Sequence, residues 1–263
     1  MILTLSVASV ARLLSAKKGG MSLVQLPEIA HDVLGLRGLV IPTSVLTGIS
    51  PADAMALRDA ADKSACPCLV LIESDAQPLA AEDDRVDDAV ERMTRVLRVA
   101  QMLGCNSVGV SVDAPDNEDA FENASVALKM ILERADRLDI NVLIAPHAGL
   151  TADPERLTDL IKKVGGFRIG TLPDFAGAAK AGEPEEQLRR TAPYAQAVIA
   201  SSLGFDEKGE HQGYDLGACV SALQAVGFEQ TLAIEYRGKG DPLEGVRLTR
   251  QAIERCLDTA AQP

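Results

Sequence analysis

Eight short apolar runs, each followed by a segment with helical spacing, divide 263 residues into eight strand–helix units. That alternation predicts an α/β chain closed into a single (β/α)8 TIM barrel, for which the length is about right. Two further observations agree. The runs are continuously apolar over four to six residues, as strands buried on both faces of a parallel sheet must be. The composition is 47% hydrophobic but only 3% aromatic, with no Trp, so the core is built from Leu, Val, Ile and Ala. Such a core favours an α/β protein over an aromatic-rich sandwich. A doubly wound sheet would share the alternation, but no Gly-rich phosphate fingerprint follows the first run. No linker-like stretch interrupts the chain, so residues 1–263 are read as one domain.

The units follow in order. ILTLSV (2–7) precedes the pattern LVQLPEIAHDVL (23–34), which Ser22 can cap and which Pro27 shortens or kinks. GLVIP (38–42) precedes Ser50-Pro51, an N-cap with proline at the first helical position. CLVLIES (68–74) leads to residues 87–103, where Val90, Met93, Val96, Leu97 and Ala100 form one stripe and Gly104 follows as a stop. SVGVSV (107–112) leads to the helical pattern 124–138, and NVLIAP (141–146) leads to 153–164. RIGTLPD (168–174) leads to 183–192, AQAVIAS (195–201) to 215–226, and TLAIEY (231–236) to 242–257.

Charge and cysteine usage exclude some functions. With 38 acidic against 26 basic residues the net charge is -12, and such a surface repels nucleic acid and anionic membranes. Five cysteines, at 66, 68, 105, 219 and 256, include no CxxC pair, and they read as reduced, mostly buried thiols. The N-terminal MILTLSVASVARLL lacks the basic start of a signal peptide, and no apolar run is long enough for a membrane span. A cytoplasmic location is expected.

In a barrel of this kind the C-terminal ends of the strands line the site. The polar residues there are Glu73, Asp113, His147, Asp174, Ser201 and Ser202, then Glu235 with Arg237. Glu235 lies within an apolar strand, where a carboxylate is costly unless paired, protonated or bound to a cation. Arg237 and Lys239 flank the last strand and could meet an anionic substrate, although exposed loop charges are the plainer reading. His31 reads as a surface or interhelix residue, and residues 73–85 as a solvated acidic loop. His211 lies in a polar loop with glycine hinges that could cover the mouth.

The order of PHAG, GTLPDF, FDEKGE and IEYRGKGDP across residues 141–254 resembles the xylose isomerase-like TIM barrels, the sugar phosphate isomerase/epimerase group. The first half fits in outline through VLRVAQMLGCNSVGVSV. In catalytic members, the resemblance implies, carboxylates on strands 5, 6 and 8, commonly with a strand-7 histidine, hold one divalent cation. That cation polarises a sugar oxygen while side chains move a proton between adjacent carbons. By position Asp174 and Glu235 match two of those ligands, and His147 matches a histidine near substrate. The strand-5 glutamate is replaced by Ala145, and the strand-7 segment reads Val198-Ile199-Ala200-Ser201-Ser202. The aromatic that often follows the histidine is Ala148, and the DFGN pattern has become Asp174-Phe175-Ala176-Gly177.

The expected site therefore has Glu235 and His147 as catalytic candidates and Glu73, Asp113, Ser201, Arg237 and Lys239 as substrate contacts. His147, Asp174 and Glu235 remain as a set that could hold zinc with an open position. Equally, the two carboxylates can persist as partners of Arg237, Lys239 or His147. Binding of Mn²⁺, Mg²⁺ or Zn²⁺ is expected to be weak or absent, because alanine and isoleucine cannot ligate a metal. The implied function is isomerisation or epimerisation of a sugar or sugar phosphate by proton transfer beside a carbonyl. The alternative is a barrel that has lost catalysis and serves as a binding or assembly subunit. A small carbohydrate is the expected partner, and a homo-oligomer is compatible with the sequence. An apurinic-type endonuclease, also found on this fold, needs a histidine-rich multi-metal site that three scattered histidines cannot build.

Overall fold

The computed structural model describes residues 1–14 and 20–260. Its strands are β1 (Ile2–Ser6), β2 (Leu39–Pro42), β3 (Cys68–Ile72), β4 (Ser107–Ser111), β5 (Asn141–Ala145), β6 (Ile169–Thr171), β7 (Ala197–Ser202) and β8 (Thr231–Tyr236). They form one eight-stranded sheet in the order β6-β5-β4-β3-β2-β1-β8-β7. Every pairing is parallel. The two ends meet through parallel bridges from Thr171 to Ala195 and from Asp174 to Ile199, which curl the sheet into the expected barrel. Pro173 explains why β6 is short: a residue without an N–H cannot extend the ladder. Its carbonyl still accepts the Ile199 N–H at 2.8 Å, which helps close the barrel.

Most helices fall where periodicity places them, at Pro51–Lys63, Arg85–Leu103, Pro154–Val164, Pro184–Thr191, Leu216–Ala225 and Pro242–Ala260. Three stretches differ. The first pattern resolves into a 3-10 turn (Leu23–Gln25), one α-turn (Leu26–Glu28) and a π-turn (Ile29–Val33) around Pro27. The fourth helix begins at Glu118, ahead of its apolar stripe, because Asn117 Oδ1 caps the Ala120 N–H at 2.9 Å. Its acidic first turn looks like loop, yet it suits the positive end of the helix dipole. Asp174 also caps a short helix, Phe175–Lys180, that the periodicity does not reveal.

Side-chain parity sets the site. Val40, Val70, Leu143, Leu172, Ala197, Ile199 and Ala233 form one apolar cluster, separate from the larger core, and Ile72 and Ala145 pack against it. Alternate residues of a strand share a face. Ala145 therefore shares the face of Leu143, Ser201 that of Ile199, and Glu235 that of Ala233, each nearer the C-terminal mouth.

Candidate active site

Arg237 joins the two carboxylates that the sequence singles out. Its Nε donates to Glu235 Oε1 at 2.5 Å and its Nη1 to Asp174 Oδ2 at 2.7 Å. Glu235 is only 8% exposed, and its other oxygen, Oε2, accepts from Ser6 Oγ at 2.5 Å. Asp174 Oδ1 accepts from Ser201 Oγ at 2.5 Å, and Oδ2 also accepts the Gly177 N–H at 3.0 Å. The Ser201 hydroxyl in turn accepts the Ala176 N–H at 2.9 Å. Each carboxylate oxygen thus has a donor. Burial works against the charge on Arg237, but the Glu235 and Asp174 carboxylates and their hydrogen bonds outweigh it and raise its pKa. Its Nη2 has no partner among the described residues.

Arg237, Glu235 and Asp174 line a cavity of about 230 Å³ with Ser6, Ala8, Pro42, Ile72, Ala145, Pro146, Leu172 and Ile199, whereas Ser201, expected as a substrate contact, is fully buried and does not line it. The wall is apolar except at the Ser6–Glu235–Arg237–Asp174 edge. Larger hollows of about 390 and 460 Å³ lie around Asp215 and Cys256 and around Leu14 and Val45, and neither is lined by Asp174, Glu235 or Arg237.

The motif IEYRGKGDP has a packing basis. Tyr236, between Glu235 and Arg237, faces the other way and rests on glycine. A Cβ at Gly245 would stand 2.2 Å from the Tyr236 ring. The Gly240 N–H donates to the Tyr236 hydroxyl at 3.0 Å, and Phe205 stacks on the ring with centroids 6.5 Å apart. Holding Tyr236 outward keeps its two neighbours directed at the mouth.

The other expected residues are distributed differently. Glu73 is buried away from this cavity, where Arg92 Nε donates to it at 2.8 Å and Thr43 Oγ1 at 3.2 Å. Asp113 and Lys239 are exposed. His147 is half-buried and does not line the cavity; its backbone N–H donates to Thr151 Oγ1 at 3.0 Å. Ser6 carries a role that sequence reasoning missed. Its only signal is its place at the tip of the first strand.

The loop after β7 folds over this region through His211. Its Nε2 accepts the Leu203 N–H at 3.1 Å, so Nδ1 must carry the proton that it shares with the Tyr214 carbonyl at 2.8 Å. Tyr214 in turn donates its hydroxyl to the Ser201 carbonyl. Burial lowers the His211 pKa below the ordinary 6.5, against the Tyr214 hydrogen bond. Because the folded value is depressed, this contribution to stability is present above pH 6.5 and is lost as pH falls through the folded value. His211→Gln is therefore expected to flatten the fall in melting temperature between pH 7 and about 5.5, the range in which imidazole charges. An unchanged profile would mean that the loop is held by other contacts.

A divalent cation, implied by the family resemblance, does not fit these residues. The Arg237 guanidinium bridges the two carboxylates, and Ala145 brings a methyl group to the same cavity. Among the described residues no group of three His, Cys, Asp or Glu side chains is arranged to hold a metal. Nor is any helix among them long and apolar enough to cross a membrane.

L-ribulose 3-epimerase superposes with a TM-score of 0.83 at 15% identity, covering 99% of this chain and 96% of its own. A structure of IolI with a bound zinc atom gives 0.77 at 14%, covering 100% of both chains. The 3-keto-D-glucoside 4-epimerase from E. coli gives 0.76 at 13%, covering 97% of this chain and 100% of its own. At such identities the likeness is one of fold. No curated protein matches by sequence. A family model described as xylose isomerase-like TIM barrel matches residues 27–258, and the chain belongs to that family.

Proposed function

We propose that the barrel mouth binds a small neutral carbohydrate and moves a proton at a carbon beside its carbonyl, as a sugar isomerase or epimerase does. The observation that carries this reading is the buried Glu235 carboxylate on the wall of a small strand-end cavity. A carboxylate with a hydroxyl on one oxygen and a guanidinium on the other is held in one orientation, as a positioned general base must be. About 230 Å³ is below the usual 300–1,000 Å³ of ligand pockets, which favours a single small sugar or polyol. Two carboxylates against one guanidinium leave the mouth at net charge -1, which disfavours a phosphate ester. Several structural neighbours are sugar epimerases, which supports the substrate class.

One observation favours a second reading. All four carboxylate oxygens already have donors, as in a structural ion-pair network, so the barrel could bind sugar without turnover. Exchange of substrate C–H in D₂O, followed by NMR over a panel of ketoses and keto-sugars, separates the two. The enzyme reading expects deuterium beside the carbonyl of at least one sugar. Glu235→Gln should cut that exchange by about 10²–10⁴, the usual worth of a positioned acid or base. Sugar binding without exchange would leave the binding role standing.

A further inference from the structure

We infer that the Arg237 guanidinium is the resident cation of this site, standing in charge and position where the family resemblance implies a divalent metal. The inference deepens the carbohydrate reading, and only the ligand assigned to Nη2 rests on it. Asp174 and Glu235 share one cavity, and two carboxylates facing each other need a positive charge between them. Arg237 supplies it, with separate nitrogens at 2.5 and 2.7 Å from the two acids. Guanidinium is charged at every pH the protein meets, and its planar fork can serve two carboxylates at once.

The rest of the shell agrees. A metal would take the free lone pairs of Asp174 and Glu235, but Ser201, Gly177 and Ser6 already donate to them. These are donors, suited to a site whose carboxylates are held by hydrogen bonds. Ala145 completes the pattern. A third carboxylate there would leave a guanidinium-held site overcharged, and a methyl does not. The remaining donors of Nη2 lie on a residue that lines the cavity. They are the groups offered to a sugar carbonyl or hydroxyl, the polarising task that a metal otherwise performs.

Calorimetric titration with Mn²⁺ alone tests the inference without any substrate. The natural protein should show no saturable binding. Arg237→Ala should gain a saturable site, about a hundredfold tighter than any residual binding to the natural protein. Adding Asp174→Asn to that variant should remove it again, and Arg237→Lys, which keeps the charge, should stay silent. If Arg237→Ala fails to fold, Arg237→Gln keeps the volume, loses the charge and takes its place. Saturable Mn²⁺ binding by the natural protein that Asp174→Asn abolishes would overturn the inference, as would no gain in the Ala and Gln variants. Neither result touches the sugar-exchange measurement, so the two readings fail separately.

Discussion

Ala145→Glu combined with Arg237→Ala is expected to convert the barrel mouth into a divalent-cation site, whereas Ala145→Glu alone is not. Ala145 lines the same cavity as Asp174, Glu235 and Arg237, and it ends a hydrogen-bonded strand, so a carboxylate there needs little reorganisation. With Arg237 in place the single variant holds three carboxylates against one guanidinium, and the cation position stays filled. It should lose stability and respond weakly to Mn²⁺. Removing the guanidinium as well leaves three facing carboxylates, which repel one another and destabilise the metal-free protein. At a hundredfold excess over its dissociation constant, a cation specific to the folded state returns about 2.7 kcal/mol. For a chain of this size that is a rise of about 5–11 °C in melting temperature, taking roughly 2–4 °C for each kcal/mol. Melting curves of the natural protein and of the single and double variants, with and without Mn²⁺, check it. A response in the single variant equal to that in the double would mean that Arg237 does not block the site.

Gly149→Ala should cause the largest loss of stability among changes to the PHAG loop, about 3 kcal/mol. Gly149 has φ of +85°, where a Cβ costs about 1–2 kcal/mol. The added carbon would also stand 2.1 Å from the Ala114 carbonyl oxygen, which accepts the Leu150 N–H at 3.0 Å. That contact ties the loop after β4 to the loop after β5, so relief requires moving backbone. Gly48→Ala is the control, since Gly48 has φ of +77° but nothing within 4 Å of the added carbon. It should lose only the conformational part, about 1 kcal/mol. Urea midpoints measure both, and equal losses would show that the Ala114 contact gives way freely.

The strands were legible because a strand buried on both faces leaves an uninterrupted apolar run, as CLVLI and NVLIA do. The helix at Phe175–Lys180 is hidden, since six residues are too few to show a period, and its cap, Asp174, stands in sequence as a candidate ligand. Asp174 and Glu235 stood out as carboxylates at or within apolar strand ends, and the structure brings them to one cavity. What joins them was less visible. Arg237 is 63 residues from Asp174 in the chain, and local pattern cannot show that an arginine still 38% exposed bridges two carboxylates. Glu73 shows the converse: its partner Arg92 comes from the helix that follows, so its place at a strand end did not bring it to the cavity. Ser6 offered only its place near the end of an apolar run, where a serine is unremarkable in sequence.

Diffraction at the manganese edge from crystals of the natural protein, grown with millimolar MnCl₂ and soaked with a ketose, tests the central claim most directly. The expected map shows sugar in the mouth cavity, with an oxygen within hydrogen-bond reach of Arg237 Nη2. It shows no anomalous peak between Asp174 and Glu235. An anomalous peak bridging those two carboxylates, with the Arg237 side chain swung away, would contradict the account.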